Sequence, residues 1–288
     1  MKKVTLIAFL FLINSFVFSQ TKEIYDFAYV SFGKKTYNGE VFNTVRLKRK
    51  NMRVRAKYFA HEINGKSVPE RYLEWSKNKN IICYSSGAYM STFNATTATL
   101  VGLTIDYGQV VNKKFIRGKL DALVAVYPNG AVDVVNLADG NVTFVGSGQQ
   151  KNFDMSSDYG VEKFVNWAKQ EKLTVFQTHL LAYDNVLKIG DNSEPEERER
   201  RFLVVTTNKK GEKEHFIIQK PEPASLLSAT KAVVNYLKDK SYKIDALINL
   251  DTGAQDTFRF YNVDGSINYK LQGRLELSDA RNLVVYYY

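Results

Sequence analysis

Three times in this chain a strand-like run meets a glycine-containing turn and resumes as a second strand-like run. Leu120 to Tyr127 and Ala131 to Leu137 flank Pro128-Asn129-Gly130; Phe202 to Thr207 and Glu214 to Gln219 flank Lys209-Lys210-Gly211; Phe258 to Asn262 and Ile267 to Leu271 flank Asp264-Gly265. Glycine readily takes the positive φ that tight reversals need, so each unit is expected to be an antiparallel hairpin. Met52 to His61 reads as a further strand followed by a turn at Asn64-Gly65, and Tyr72-Leu73-Glu74-Trp75 reads as a short helix. Helical spacing recurs twice more. Val161 to Lys169 places Val161, Phe164, Val165 and Ala168 on one face with Trp167 nearby, and Ser225 to Lys238 groups Leu226, Leu227, Thr230, Val233, Val234 and Leu237. Pro221 and Pro223 keep the segment before that second helix from being helical. Many hairpins and few helices imply an α+β chain: a largely antiparallel or mixed β-sheet core with a few flanking helices.

The N-terminus carries Lys2 and Lys3, then an apolar run from Val4 to Phe18, then Ser19 before Gln20. That pattern is expected to be a secretory signal peptide over residues 1–19, which makes the protein exported, periplasmic or extracellular. Residues 20–288 contain no Pro/Gly/Ser-rich linker and are expected to form a single domain. No later stretch is long and apolar enough to span a membrane. The lone Cys83 has no internal disulfide partner, and its neighbours Ile81 and Ile82 favour burial over catalysis. Net charge is +10, and basic residues gather at Arg46-Leu47-Lys48-Arg49-Lys50 and Arg53-Val54-Arg55-Ala56-Lys57. Period-two spacing puts Arg53, Arg55 and Lys57 on one strand face, either a solvated face or a stripe for phosphate or an anionic glycan. The export signal and the lack of a recognisable module argue against nucleic acid as a partner. The charge-dense run Glu194 to Arg201 reads as a solvated loop leading into a strand.

Much familiar chemistry is absent. Three histidines (His61, His179, His215) and one cysteine cannot build a common structural zinc site, and there is no HExxH, Walker loop, GxGxxG after a strand or GxSxG elbow. No cofactor and no metal is expected, although a calcium site made of oxygen ligands stays open. The most promising segment is Ile244 to Leu250, an apolar strand running into Asp251-Thr252-Gly253-Ala254-Gln255-Asp256. Residues just past a strand end overhang the sheet, where a ligand can reach them, so Asp251 is the first candidate; the competing reading is an Asx-type turn.

Other polar islands sit in strand-like surroundings: Tyr84-Ser85-Ser86-Gly87-Ala88-Tyr89, Val101 to Gly108, Phe176-Gln177-Thr178-His179-Leu180-Leu181 and Arg200-Arg201-Phe202. In their order, closing on Asn249-Leu250-Asp251-Thr252-Gly253, they resemble the phosphodiester glycosidase family over about Ile81 to Asp256. That family shows an Asn-Gly-Gly-Tyr/Phe-Phe turn, a Pro-Val-Gly-Leu segment, a Gln-x-x-Pro-x-Leu segment, an Arg opening a strand, and Asn-Leu-Asp-Gly-Gly-Gly-Ser. Here Ser85 replaces the first Asn, the Pro of the Gln segment is missing, and Thr252 and Ala254 replace turn glycines. The added Cβ atoms bear on whether the turn can be left-handed and how closely a sugar can approach.

The resemblance implies a secreted hydrolase cleaving a sugar-1-phosphodiester to free sugar and a phosphomonoester, with a phosphorylated sugar or glycan as partner and an open oligomeric state. Asp251 would be the carboxylate at the anomeric carbon and Arg201 or Arg200 the phosphate clamp. Gln177 and Asn249 would be hydrogen-bond partners, and Gly87 and Gly253 points of close backbone approach. Ser85 lines the first turn, His179 would donate to phosphate or sit in the core, and a second carboxylate would be Asp256 or Asp106. Arg201 has a competing role in a surface ion pair with Glu197 or Glu199. Two other functions stay open: a carbohydrate-binding or envelope-interaction protein that has lost the chemistry, and an anion-binding module using the Arg46–Lys57 stripe.

Overall fold

Turn chemistry and alternating burial generate a chain of short antiparallel strands. The computed structural model describes residues 29–60, 62–91, 99–146, 148–190, 195–253, 255–262 and 264–288, without the side chains of 51 and 269–271. The expected signal peptide, His61, Glu194 and Ala254 lie outside the described residues. In chain order come β1 (Val30–Tyr37), β2 (Glu40–Lys48), β3 (Arg55–Phe59), α1 (Val68–Ser76), β4 (Ile81–Ser85), β5 (Thr104–Asp106) and β6 (Gln109–Asn112). Then follow β7 (Ala122–Val126), β8 (Val132–Asn136), β9 (Asn141–Gly146), β10 (Gln149–Asp154), α2 (Asp158–Gln170), β11 (Thr174–Thr178), β12 (Leu180–Tyr183) and β13 (Val186–Leu187). The chain closes with β14 (Arg198–Thr207), β15 (Lys213–Ala224), α3 (Leu226–Asp239), β16 (Lys243–Leu250), β17 (Phe258–Tyr261), β18 (Ile267–Gln272) and β19 (Leu283–Tyr287).

Three sheets and a two-stranded ribbon result. A seven-stranded sheet has the order β1-β2-β15-β14-β16-β12-β13, one five-stranded sheet β6-β5-β11-β7-β8, another β18-β17-β4-β19-β3, and β9 pairs with β10. The strand pairings among the described residues are antiparallel, so the α+β expectation holds with its sheets on the antiparallel side. The three expected hairpins form at β7–β8, β14–β15 and β17–β18. Asn64 and Gly65 both take positive φ in the turn that brings Ile63 and Lys66 together.

Each sheet buries its inner face in one central core, where Leu47, Tyr58, Ile82, Val124, Phe176, Leu203, Ile248 and Val284 meet. Each outer face is covered by a helix: α3 packs on the seven-stranded sheet through Leu226, Val233 and Leu237. Helix α2 covers the β5–β8 sheet through Phe164 and Trp167, and α1 covers the β3–β4 sheet through Tyr72. Burying one such apolar side chain contributes about 1.5–3 kcal/mol, so this layering supplies most of the driving force. Ser67, Ser157 and Ser225 cap the three helices, each accepting a backbone N–H from the first turn.

Two sequence expectations change. The run from Glu194 is no solvated loop at its end: β14 starts at Arg198, and Arg200 and Arg201 are 1% and 0% exposed. Pairing on both flanks places β14 inside the sheet, so these arginines enter the interior with it. The basic stripe keeps its alternation but not its uniform exposure. Arg53 and Arg55 are exposed while Lys57 is half-buried, Arg49 is buried, and Arg46 pairs with Glu214. Pro221 and Pro223 sit within β15, where the register shifts between Arg198 and Arg200, which lets the ladder pass residues that cannot donate.

Candidate functional site

The ends of three strands converge on Asp251. Strand β11 of one sheet runs almost directly into β12 of another, and at the junction Thr178 Oγ1 donates to the carbonyl of Asn249 (2.7 Å) while Asn249 N donates to the carbonyl of His179 (3.2 Å). On the other side, Asp251 N donates to the carbonyl of Gly87 (3.4 Å), and Ser86 Oγ donates to the carbonyl of Gln255 (2.8 Å). The exit of β4 is thereby tied to the exit of β16. Sequence positions nearly 170 apart share one polar junction because two antiparallel sheets end there.

Asp251 is 6% exposed, and its Oδ1 accepts the Gly253 N–H at 2.8 Å. Burial pushes its carboxyl above the usual carboxylate range; the Gly253 N–H opposes this, Asp256 reinforces it, and Arg201 and Arg198 pull it back. Asp256, 1% exposed, is the partner of Arg201, whose Nη1 lies 2.6 Å from its Oδ1. The same guanidinium lies 4.2 Å over the Phe258 ring, and its Nη1 is 3.5 Å from Ser85 Oγ. The expected Glu199 contact exists at 3.6 Å, but from a wholly buried arginine rather than a surface one. Arg201 Nε and Nη2 have no hydrogen-bond partner among the described residues. Nor has Asn249 Oδ1, while its Nδ2 donates to Tyr89 OH. Buried polar atoms are hydrogen-bonded as a rule, so three that lack a hydrogen bond among the described residues mark this junction out.

The remaining sequence candidates divide. Ser85 is at the junction, but its hydroxyl donates to the Ser86 carbonyl. His179 is half-buried, with its ring 5.1 Å from that of Tyr89. Arg200 turns away: its Nε donates to the Ala224 carbonyl and its Nη2 to that of Glu196. Gln177 is a clamp on the protein's own backbone. Its Oε1 accepts from Leu103 N and Ile116 N, and its Nε2 donates to the carbonyls of Ile116 and Leu120, which occupies its full hydrogen-bonding capacity. Gly87 is small for an internal reason too, because a Cβ there would lie 2.7 Å from Val284 Cγ2 and 3.1 Å from the Tyr58 ring. Neither Thr252 nor Gly253 has positive φ, so the Cβ of Thr252 meets no left-handed requirement; its hydroxyl donates to the Glu199 carbonyl. Of the two nominated second carboxylates, Asp256 belongs to the junction. Asp106 sits elsewhere, accepting from Arg71 Nη1 at 2.6 Å and Ala60 N at 2.9 Å.

Asn282 is a neighbour of the candidate site that the sequence did not point to. Its Oδ1 accepts from Gly87 N (2.8 Å), Ala88 N (3.0 Å) and Tyr58 OH (3.3 Å), holding the turn that carries Gly87 against Asp251. The only local signal is a single asparagine opening an apolar strand. Among the described residues no group of three His, Cys, Asp or Glu side chains is placed to hold a metal ion. Cys83 is buried, which pushes its thiol up to about 12, and no helix among the described residues is long and apolar enough to cross a membrane.

No protein-family model and no curated protein matches the chain. In three dimensions it is similar to the catalytic domain of zebrafish N-acetylglucosamine-1-phosphodiester alpha-N-acetylglucosaminidase, auto-inhibited by its pro-peptide. Identity there is 13% and the TM-score 0.47, over 89% of this chain and 81% of that one. It is also similar to a hypothetical protein from Synechocystis, with 10% identity and a TM-score of 0.44, over 90% of this chain and 62% of that one. Neither likeness assigns a role to any residue here.

Proposed function

We propose that the protein is an exported hydrolase acting on a sugar-1-phosphodiester, with Asp251 as the carboxylate at the anomeric carbon and Arg201 as the group that receives phosphate charge. The observation that carries this reading is a set of buried atoms without a hydrogen-bond partner among the described residues, Arg201 Nε and Nη2 (the latter with only the longer Glu199 contact) and Asn249 Oδ1, beside a carboxyl whose affinity for a proton is raised. A phosphodiester supplies acceptors for the guanidinium, and a sugar hydroxyl supplies a donor for the amide oxygen. The phosphomonoester is already a good leaving group, so the demand falls on a carboxylate near C1 and a cation near the phosphate. Two acidic side chains in unlike settings, Asp256 held by Arg201 and Asp251 beside it, provide unlike roles. The order of polar motifs along the chain fits the same chemistry.

A second reading has its own observation. Asp251 is 6% and Arg201 0% exposed, and Gln177 is fully occupied by backbone, an arrangement suited to a carbohydrate-binding or envelope-interaction protein on this fold without turnover. The deciding experiment incubates purified residues 20–288 with a panel of sugar-1-phosphodiesters and measures free sugar, with Asp251→Asn at equal folded concentration. Turnover that collapses in Asp251→Asn supports the hydrolase; no release from any substrate, with ligand binding unaffected by the substitution, leaves the binding protein.

A further inference from the structure

A hollow of about 390 Å³ lies on the outer face of the β3–β4 sheet, away from the central core. Strand β3 contributes Lys57 and Phe59, helix α1 contributes Arg71 and Trp75, and the β5–β6 turn contributes Tyr107. That volume is in the range of small-molecule sites. Phe59 and Trp75 meet edge to face at 5.4 Å, and Tyr287 holds Trp75 from another side at 4.8 Å, so the indole is a fixed wall.

The charges in the hollow do not balance. Asp106 is occupied by Arg71 and by Ala60 N, and Glu74 at the rim is occupied by Lys66 at 2.7 Å. The Lys57 ammonium makes no ion pair or hydrogen bond with any described residue; its Nζ lies over the rings of Tyr107 (4.9 Å) and Phe59 (5.7 Å). Asp106 Oδ1 has no donor among the described residues, and the ammonium lies over the Tyr107 ring instead of bonding to it. Burial lowers the affinity of Lys57 for its proton; Asp106 opposes this through space and Arg71 adds to it. Arg71 stands over the same Phe59 ring at 5.5 Å, and Lys172 over Tyr107 at 5.7 Å.

Tyr107 adds an independent observation. It occupies the first position of a two-residue turn with φ 48, followed by Gly108 at φ 80, a place that asparagine, aspartate or glycine normally takes. A bulky residue in the left-handed region persists only where its surroundings impose it. Here Thr174 Oγ1 accepts the Tyr107 N–H at 2.9 Å and the Leu173 carbonyl accepts that of Gly108 at 2.8 Å. The strained turn sets a phenol ring under the Lys57 ammonium, where an asparagine would satisfy the backbone but leave the cation unplaced.

We propose that this hollow binds an acidic sugar unit, with its carboxylate received by Lys57 and its ring laid against Trp75. An excess cation calls for an anion, the aromatic walls for a ligand with an apolar face, and the polar rim at Glu74 and Gln109 for hydroxyl groups. The site is independent of any chemistry at Asp251. The test titrates methyl β-D-glucuronoside, methyl β-D-glucoside and benzoate into the protein, by calorimetry and by tryptophan fluorescence. The chain has only two tryptophans, and Trp167, on α2, is buried against Phe144 and Phe153 as a constant background.

The glucuronoside should bind and quench, the glucoside and benzoate should bind at least tenfold more weakly, and Lys57→Met should lose about tenfold in affinity. Tyr107→Asn separates binding from folding: it relieves the left-handed tyrosine, so the melting temperature should hold or rise while affinity falls. Equal binding of glucoside or benzoate, unchanged affinity in Lys57→Met and Tyr107→Asn, or no binding of the glucuronoside would overturn the assignment.

Discussion

At the scale of single residues, Asp251 makes two claims that can be tested apart from each other. Its folded carboxyl is held above the usual carboxylate value of 3.8, chiefly by burial. The stability this contributes is full below about pH 3.8 and is lost as pH rises through the raised value. At pH 7 Asp251→Asn should therefore hold or gain stability, by up to about 1 kcal/mol or roughly 2–4 °C in Tm, while abolishing sugar release. Melting curves at pH 7 and pH 4 check this, and a drop of several degrees at pH 7 would show that the carboxylate is structural. Arg201 is the opposite case, since removing one partner of a buried pair strands the other charge. Arg201→Gln should lose about 3–5 kcal/mol in urea unfolding, and pairing it with Asp256→Asn should recover much of that loss. Gln177→Leu leaves Leu103 N and Ile116 N without their acceptor and should cost about 2 kcal/mol or more, whatever its effect on turnover.

At the scale of elements, α2 shows how a fold constrains a helix that looks ordinary in sequence. Spacing alone starts the helix at Val161, but the structure starts it at Asp158, with Ser157 capping Gly160 N. A Cβ at Gly160 would lie 1.7 Å from the Asp154 carbonyl oxygen, because the first turn sits on the end of β10. Gly160→Ala should therefore destabilise by about 3 kcal/mol or more, although alanine is the better helix former. Thermal unfolding reads this directly, and a neutral result would mean that β10 can move away from α2. The hairpins were legible for a related reason. Glycine turns between alternating runs are local, and neighbouring segments settle their pairing without help from distant chain.

At the scale of the whole molecule, the sheets are joined by buried polar contacts that titrate. His215 on β15 and Tyr286 on β19 belong to different sheets, and His215 Nδ1 lies 2.8 Å from the phenol oxygen. Arg49 stands 5.9 Å over the same Tyr286 ring and donates to the Gly130 carbonyl of the β7–β8 turn, linking all three sheets. Burial, with Arg49 and Lys213 nearby, holds the imidazole well below its usual 6.5. The unfolded chain then binds a proton that the folded chain does not, so this contribution is present above about pH 6.5 and falls with acidification, by at most about 1.4 kcal/mol per pH unit. Replacing His215 with Gln should flatten the loss of stability between pH 6.5 and 5. An unchanged slope in chemical unfolding would place the acid sensitivity elsewhere.

Sequence by itself determined the α+β class, the three hairpins, the faces of the two longer helices and the burial of Cys83, all of which depend on period and turn chemistry within a few residues. It also singled out Asp251, because an apolar strand ending in a polar glycine turn is a local pattern. Only the tertiary structure decided that Asp256 and Arg201 form a buried pair, that Gln177 clamps two loops, that Arg200 turns away and that Asn282 holds the Gly87 turn. Those roles depend on which sheet ends meet. Residues 85, 201, 256 and 282 come together through sheet packing, and no spacing along the chain encodes a contact made between strands of different hairpins.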